Sequence, residues 1–362
     1  MRALFLSASF GGGHLHANLA VHEALGAEGL ERDYLEYIPL WQRLPVVGLY
    51  QFSLRYWPGL YGWFYRFTNR ETEPRLITAQ FDRAGLPAMK ADVLAFEPDV
   101  VISSFPTATA LAGRVREETG MAFANVLVVT DFRAHRHWAQ GSADLILAPS
   151  AEAADDLVRF GIPPSKVAVT GLPVRRVFLE LPAGEILRER HGLDERPVVL
   201  IASGATEAYR AQEEAVRAVI ALGEPAQVVR FRKNGGRMRE EHGRVSVLTY
   251  PVGRLFAELF AAADFLLGKA GGLTVAEALV AGKPYLVYKP IPGHEEANAR
   301  WLEQKGAGRF AKSRGELLAT LAAWLKDPSA LLPLAERART LGRPEAARLA
   351  AQRIREALGV PA

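Results

Sequence analysis

Two glycine-rich junctions hold the residue types best suited to chemistry. The first reads SASFGGGHLHA, in which Gly11, Gly12 and Gly13 run directly into His14. Glycines after a strand let the backbone turn tightly and approach a ligand closely. A helix that starts there offers unpaired N–H groups and the positive end of its dipole. An imidazole at that point can take a proton from a hydroxyl near neutral pH, and the helix N-terminus disfavours the imidazolium form. The alternative is a solvent-exposed histidine at a helix start, and a triple glycine alone does not decide between them. The spacing is neither the dinucleotide fingerprint nor a Walker loop, which needs Lys followed by Ser or Thr.

The second junction lies in GKAGGLTVAEALVAGKPYLVYKPIPGHEEANARWLEQKGAG, Gly268 to Gly308. Gly271 and Gly272 again separate a strand from a helix. Thr274 and Glu277 have the spacing of a capping box, which would make both residues structural. The functional reading is a diphosphate resting on the helix N-terminus, with Glu277 gripping two ribose hydroxyls. The loop PIPGHEEAN follows the next strand and brings His294, Glu295, Glu296 and Asn298 to the same edge. That set suits a sugar, and it equally suits a solvated helix start.

Short buried strands must position these junctions. RALFLSAS (Arg2 to Ser9), PDVVISS (Pro98 to Ser104), FANVLVVTD (Phe123 to Asp131), ADLILAPS and KVAVTG alternate with helical segments, which predicts parallel βαβ units. The first helix is expected over HANLAVHEALGAEG, with Gly26 and Gly29 near its end. TGLPVRRVFLELPAG, with two prolines, precedes a second series: RPVVLIAS, PAQVVRFR, VSVLTY, ADFLLGK and KPYLVYK. Two doubly wound α/β domains follow, spanning 1–172 and 173–342, and the last helix, within 343–362, crosses back onto the first. Ligands bind such domains beyond the carboxyl ends of the strands, which places the site in a cleft across which the two domains face.

One segment breaks the rhythm. Pro39 to Phe67 holds ten of the chain's 33 aromatic residues, including Trp57 and Trp63. No acid lies between Glu36 and Glu71, while Arg43, Arg55, Arg66 and Arg70 do. Tyr and Trp mixed with Arg is the composition of a surface lying among lipid headgroups, and it favours docking on an anionic membrane or an apolar acceptor over an aromatic core insertion.

The whole chain sets outer limits. Its 362 residues are 49% hydrophobic and 23% charged, enough for two sizeable cores. Without cysteine there are no disulfides, thiolate metal sites or cysteine nucleophiles. No signal peptide and no spanning helix are expected, which suggests a cytoplasmic protein, and a net charge of +4 suits phosphate ligands better than nucleic acid.

SASFGGGHLHA, PDVVISSFP, VVTDFRAHRHW, VTGLPVRRVF and KAGGLTVAEALVAGKPYLVYKPIPGHEEAN fall in order along most of the chain. Together they resemble the bacterial processive diacylglycerol glucosyltransferases and the plant monogalactosyldiacylglycerol synthases, glycosyltransferases of the two-Rossmann (GT-B) kind related to MurG. The resemblance implies a hexose passed from a UDP-sugar to a lipid hydroxyl with inversion, without a metal or other cofactor. It also implies a peripheral enzyme on the inner face of the cell membrane. It makes His14 the general base and lets Gly12 and Gly13 approach the donor. Gly271, Gly272, Leu273 and Thr274 become the diphosphate cradle and Glu277 the ribose ligand. His294, Glu295 and Asn298 become sugar contacts, and Tyr250 to Val252 lie beside the uracil. Asp131 and Trp138 lie near the acceptor, and the aromatic segment is the membrane-associated acceptor region.

The chain departs from the family pattern in three places. His294 stands where glutamine is usual, Gly204 is alone at the end of IASGATEAY, and Arg232 replaces a glycine before Lys233 and Asn234. Rival readings are a MurG-like transferase to a polyprenyl-linked sugar, a nucleotide-sugar 2-epimerase, and a non-catalytic binding module.

Overall fold

The computed structural model describes residues 1–9, 12–69, 76–202, 211–233, 236–253 and 255–360. Gly11, Arg70, Gly204 and Asn234, singled out above, lie outside them, as do the side chains of Tyr50 and Arg55. The chain divides into two compact units. One comprises Met1–Arg175, Ile291–His294 and Pro344–Ala362, and the other Arg176–Pro290 and Glu295–Arg343.

The first unit opens with strand β1 (Arg2–Ser7), helix α1 (Gly12–Leu25) and strand β2 (Glu28–Asp33). Four helices follow: α2 (Tyr34–Tyr37), α3 (Leu40–Tyr56), α4 (Pro58–Thr68) and α5 (Leu76–Phe96). The rest is β3 (Val100–Ser103), α6 (Pro106–Thr119), β4 (Ala124–Val128), β5 (Leu145–Ala148), α7 (Ala151–Arg159) and β6 (Val167–Val169). The sheet is parallel in the order β2-β1-β3-β4-β5-β6. Its inner strands are buried almost throughout, which is why they read as apolar runs. The chain leaves β1 toward β2 and returns on the other side at β3, so the β1/β3 end is the topological switch point, where open α/β sheets bind ligands.

The second unit holds α8 (Gly184–His191), β7 (Val198–Ala202), α9 (Gln212–Leu222), β8 (Ala226–Arg232), β9 (Met238–His242), β10 (Val245–Pro251) and α10 (Leu255–Ala262). It continues with β11 (Phe265–Gly268), α11 (Gly272–Val280), β12 (Tyr285–Tyr288), α12 (His294–Gln304, all but its first residue), β13 (Gly308–Ala311), α13 (Arg314–Lys326) and α14 (Leu332–Leu341). Its sheet order is β13-β12-β11-β7-β8-β10-β9, parallel except for the edge strand β9. Here the switch point falls between β7 and β11. Gly268 pairs with Ala202 across it, and a side chain at Gly268 would strike the Ala202 carbonyl.

The last helix, α15 (Ala346–Ala357), belongs to the first unit and packs on α1. Arg355 donates to the Leu25 carbonyl at 2.9 Å, one of the carbonyls that α1 leaves unpaired at its end. Three strands were not legible in the sequence. β2 (EGLERD) and β9 (MREEH) are polar edge strands, and β13 (GRFA) spans four residues; none shows an apolar run. Gly29 accordingly lies in β2 rather than near the end of α1.

Candidate active site

Both glycine junctions sit at switch points. At the first, α1 begins at Gly12, so Gly12 and Gly13 are helical and His14 stands in the first turn. One turn on, buried Asn18 donates to the Leu6 carbonyl at 2.8 Å and fastens α1 to the end of β1. His14 Nδ1 lies 2.6 Å from the carbonyl oxygen of Ser104, just beyond β3. A carbonyl only accepts, so Nδ1 carries the proton and Nε2 keeps its lone pair, the tautomer a base needs. Ser104 Oγ donates in return to the His14 carbonyl at 3.0 Å.

Burial lowers the His14 pKa below its ordinary value, against Asp131 and the Ser104 carbonyl, which raise it. Burial is the leading cause of the lowered value. The indole of Trp138 lies 6.2 Å from the imidazole, and Phe105 meets it edge-on at 5.8 Å.

Asp131 and Trp138 belong to one loop. Trp138 Nε1 donates to Asp131 Oδ2 at 3.2 Å, and both residues are buried. The loop is anchored by Arg133, whose guanidinium holds Asp156 through bonds of 2.7 and 2.8 Å. His137, unremarked in the sequence, bonds Thr107 at 3.0 Å, and burial pulls its pKa down to about 4. Neither His137 nor Ser104 carries a periodicity or spacing signal; each is drawn in by the fold.

The second junction is built differently. The residue capping α11 is Gly271, with no side chain to bond the first turn, and Thr274 lies inside the helix. The capping-box reading is therefore incorrect: the helix starts two residues before Thr274, and Glu277 is buried in its second turn. Leu273 is buried too, so only its backbone faces the turn. Two buried side chains hold the turn. Tyr285 donates its hydroxyl to the Lys269 carbonyl, and Asn298 donates to the Ala270 carbonyl at 3.1 Å. Asn298, which the resemblance makes a sugar contact, is 0% exposed, and its amide shapes the turn. Lys269 Nζ bonds buried Glu295 at 2.8 Å. Lys269 and Tyr285 were missed in the sequence because both sit in ordinary strand surroundings.

Tyr250 is 1% exposed and packs its ring against Phe231 and His191, so its side chain faces the interior, while Val252 is exposed at the strand end. Arg232 is exposed and paired with Glu213 at 2.6 Å. His294 belongs with the first unit, where Tyr61 Oη lies 3.5 Å from its Nδ1. Among the described residues no group of three or more histidine, aspartate or glutamate side chains is placed to hold a metal ion.

The aromatic segment forms α3 and α4. Trp41, Phe52, Tyr56, Trp57, Trp63, Phe64 and Phe67 are exposed, with Trp41 at 73% and Trp57 at 61%, so the core-insertion reading fails. Leu40, Leu44, Leu49 and Leu60 extend the apolar surface. Among the described residues no helix is long and apolar enough to cross a membrane.

Residues 14–174 match the family model for monogalactosyldiacylglycerol (MGDG) synthase, and residues 202–352 match that for the glycosyltransferase family 28 C-terminal domain. The chain is 28% identical to a processive diacylglycerol beta-glucosyltransferase of Bacillus subtilis, over 91% of this chain and 88% of that one. In fold it is similar to MurG of Acinetobacter baumannii, at 16% identity and a TM-score of 0.64 over 98% of this chain and 99% of that one. S. aureus MnaA, solved with UDP, superposes with a TM-score of 0.68 at 16% identity, over 99% and 97% of the two chains. The two family models, the curated relative and the paired doubly wound sheets agree: the chain belongs to the GT-B glycosyltransferases of the monogalactosyldiacylglycerol synthase and processive diacylglycerol glucosyltransferase family.

Proposed function

We propose that the protein transfers a hexose from a UDP-sugar to the free hydroxyl of diacylglycerol, inverting the anomeric carbon, at the inner face of the cell membrane. The observation that carries the reading is the His14–Ser104 bond, which leaves a neutral imidazole with a free lone pair at the first switch point. His14 Nε2 takes the hydroxyl proton as the acceptor oxygen attacks the anomeric carbon. The bond from that carbon to the diphosphate oxygen breaks on the opposite face, and UDP leaves with the electron pair. The N–H groups at the start of α11 and its dipole stabilise the departing charge. Glu277 holds the ribose, and Glu295 and His294 contact the sugar.

The B. subtilis relative's name supplies the diacylglycerol acceptor, and the UDP bound to S. aureus MnaA supports the donor class. The exposed tryptophans of α3 and α4 suit an anionic membrane surface. The reading calls for no cofactor besides the donor. Release of UDP from a panel of UDP-hexoses, with and without diacylglycerol vesicles, tests it. Release that requires both donor and diacylglycerol is expected, with the opposite anomer in the product. Release only with a polyprenyl-linked sugar, or C-2 epimerisation of the donor without lipid, would contradict it.

A further inference from the structure

The end of α4 is fastened to the loop that carries Asp131. His135 Nδ1 accepts the N–H of His137 at 3.0 Å, which leaves Nε2 as the protonated nitrogen. That N–H points at the Tyr65 carbonyl, 3.0 Å away, with Thr68 Oγ1 at 3.2 Å. The Tyr65 carbonyl is among the last four of α4, which lack backbone donors within the helix, and Thr68 Oγ1 also donates to it at 3.2 Å. Beside it, the Arg136 N–H donates to Oδ1 of Asn69, the residue that closes α4, at 2.8 Å. The His135 ring also packs on the Tyr65 ring at 4.4 Å, and burial keeps the imidazole neutral.

Past this staple the loop runs directly into Trp138, which holds Asp131 and flanks His14. Its other end is pinned by Arg133 on Asp156. The opposite contact of α4 is equally close. A side chain at Gly62 would meet Pro292 at 2.7 Å, and one at Gly293 would meet the Tyr65 ring at 2.6 Å. The helix that exposes Trp63, Phe64 and Phe67 outward therefore has no slack inward.

We infer that His135 is a positioning residue that couples the seating of α4 on a lipid surface to the placement of Asp131 and Trp138 against His14. The inference rests on the transfer reaction proposed above. A surface shifts this equilibrium only by binding the seated helix better than the unseated one, and the aromatic face that seated α4 exposes is where it would bind. Its consequence is that lipid acts on turnover as well as on acceptor supply. Vesicles that contain no acceptor should raise kcat for a monodisperse short-chain diacylglycerol.

The test measures UDP release at saturating short-chain diacylglycerol, with and without phosphatidylcholine–phosphatidylglycerol vesicles free of diacylglycerol. The wild type should gain roughly tenfold in kcat, within the range that small misplacements of reacting groups produce. His135→Ala should bind vesicles and UDP as the wild type does, yet lose the gain. His135→Gln, whose amide can donate to the Tyr65 carbonyl, should recover most of it, and Asn69→Ala should lose part of it. A His135→Ala enzyme that responds to vesicles like the wild type would overturn the coupling. So would Ala and Gln variants equally deficient and equally destabilised. If the wild type transfers sugar but its kcat ignores vesicles, the coupling alone falls. If it transfers sugar to no lipid, the proposed reaction falls and the coupling with it.

Discussion

At the β1/β3 switch point the chain places one titratable ring, half-buried, whose outer nitrogen has no hydrogen-bond partner among the described residues. At the β7/β11 switch point it places a bare helix start, backed by two carboxylates, Glu277 and Glu295, each 2% exposed. The sheets end alike, and the proposed reaction gives the two ends different tasks. A base must be reachable by the proton it takes, and its pKa is set by how much water is excluded around it. A binding turn works through backbone N–H groups, so its side chains serve mostly to orient backbone, as Tyr285 and Asn298 do. One site should fail in turnover and the other in donor affinity.

The largest effect should come from the first site. His14→Ala should lower kcat by about 10²-fold or more while UDP binding by calorimetry stays unchanged. A folded variant that loses UDP binding instead would erase the distinction between the sites. Next, replacing Trp57 and Trp63 together with serine should weaken vesicle binding in flotation assays by about tenfold or more, with UDP affinity intact. At the second site, Glu277→Ala should weaken UDP-sugar binding by about 1–3 kcal/mol. If only the melting temperature drops, Glu277 serves the fold and the site rests on backbone alone. The smallest effect should be Arg355→Ala. Losing its bond to the Leu25 carbonyl should cost roughly 0.5–1.5 kcal/mol of stability in denaturant titration and leave kcat unchanged.

The parts legible in the sequence were those with a local signature. Buried parallel strands show as apolar runs, and the two junctions show as glycines between a strand and a helix. The aromatic density of Pro39 to Phe67 was also plain, though only the structure shows seven of those ten rings exposed. What stayed hidden depends on distant partners. Ser104 is 90 residues from His14, and Asn298 is 28 from the Ala270 carbonyl it fixes. Thr274 and Glu277 illustrate the opposite error, since their spacing matched a cap that the helix does not use. The motif resemblance picked out His14, Glu277 and Glu295 by position. Physical reading of the sequence alone left each with a structural alternative.

The most direct test of the account is the pH dependence of kcat/KM for the wild type and His14→Ala. Burial holds the His14 pKa below the ordinary 6.5, and only the neutral ring accepts a proton. The wild-type rate should therefore be lost as pH falls, with a midpoint below 6.5, and should be level above it. The variant should be slow and lack that acidic limb. An acidic limb that persists unchanged in His14→Ala would contradict the assignment and place the base elsewhere.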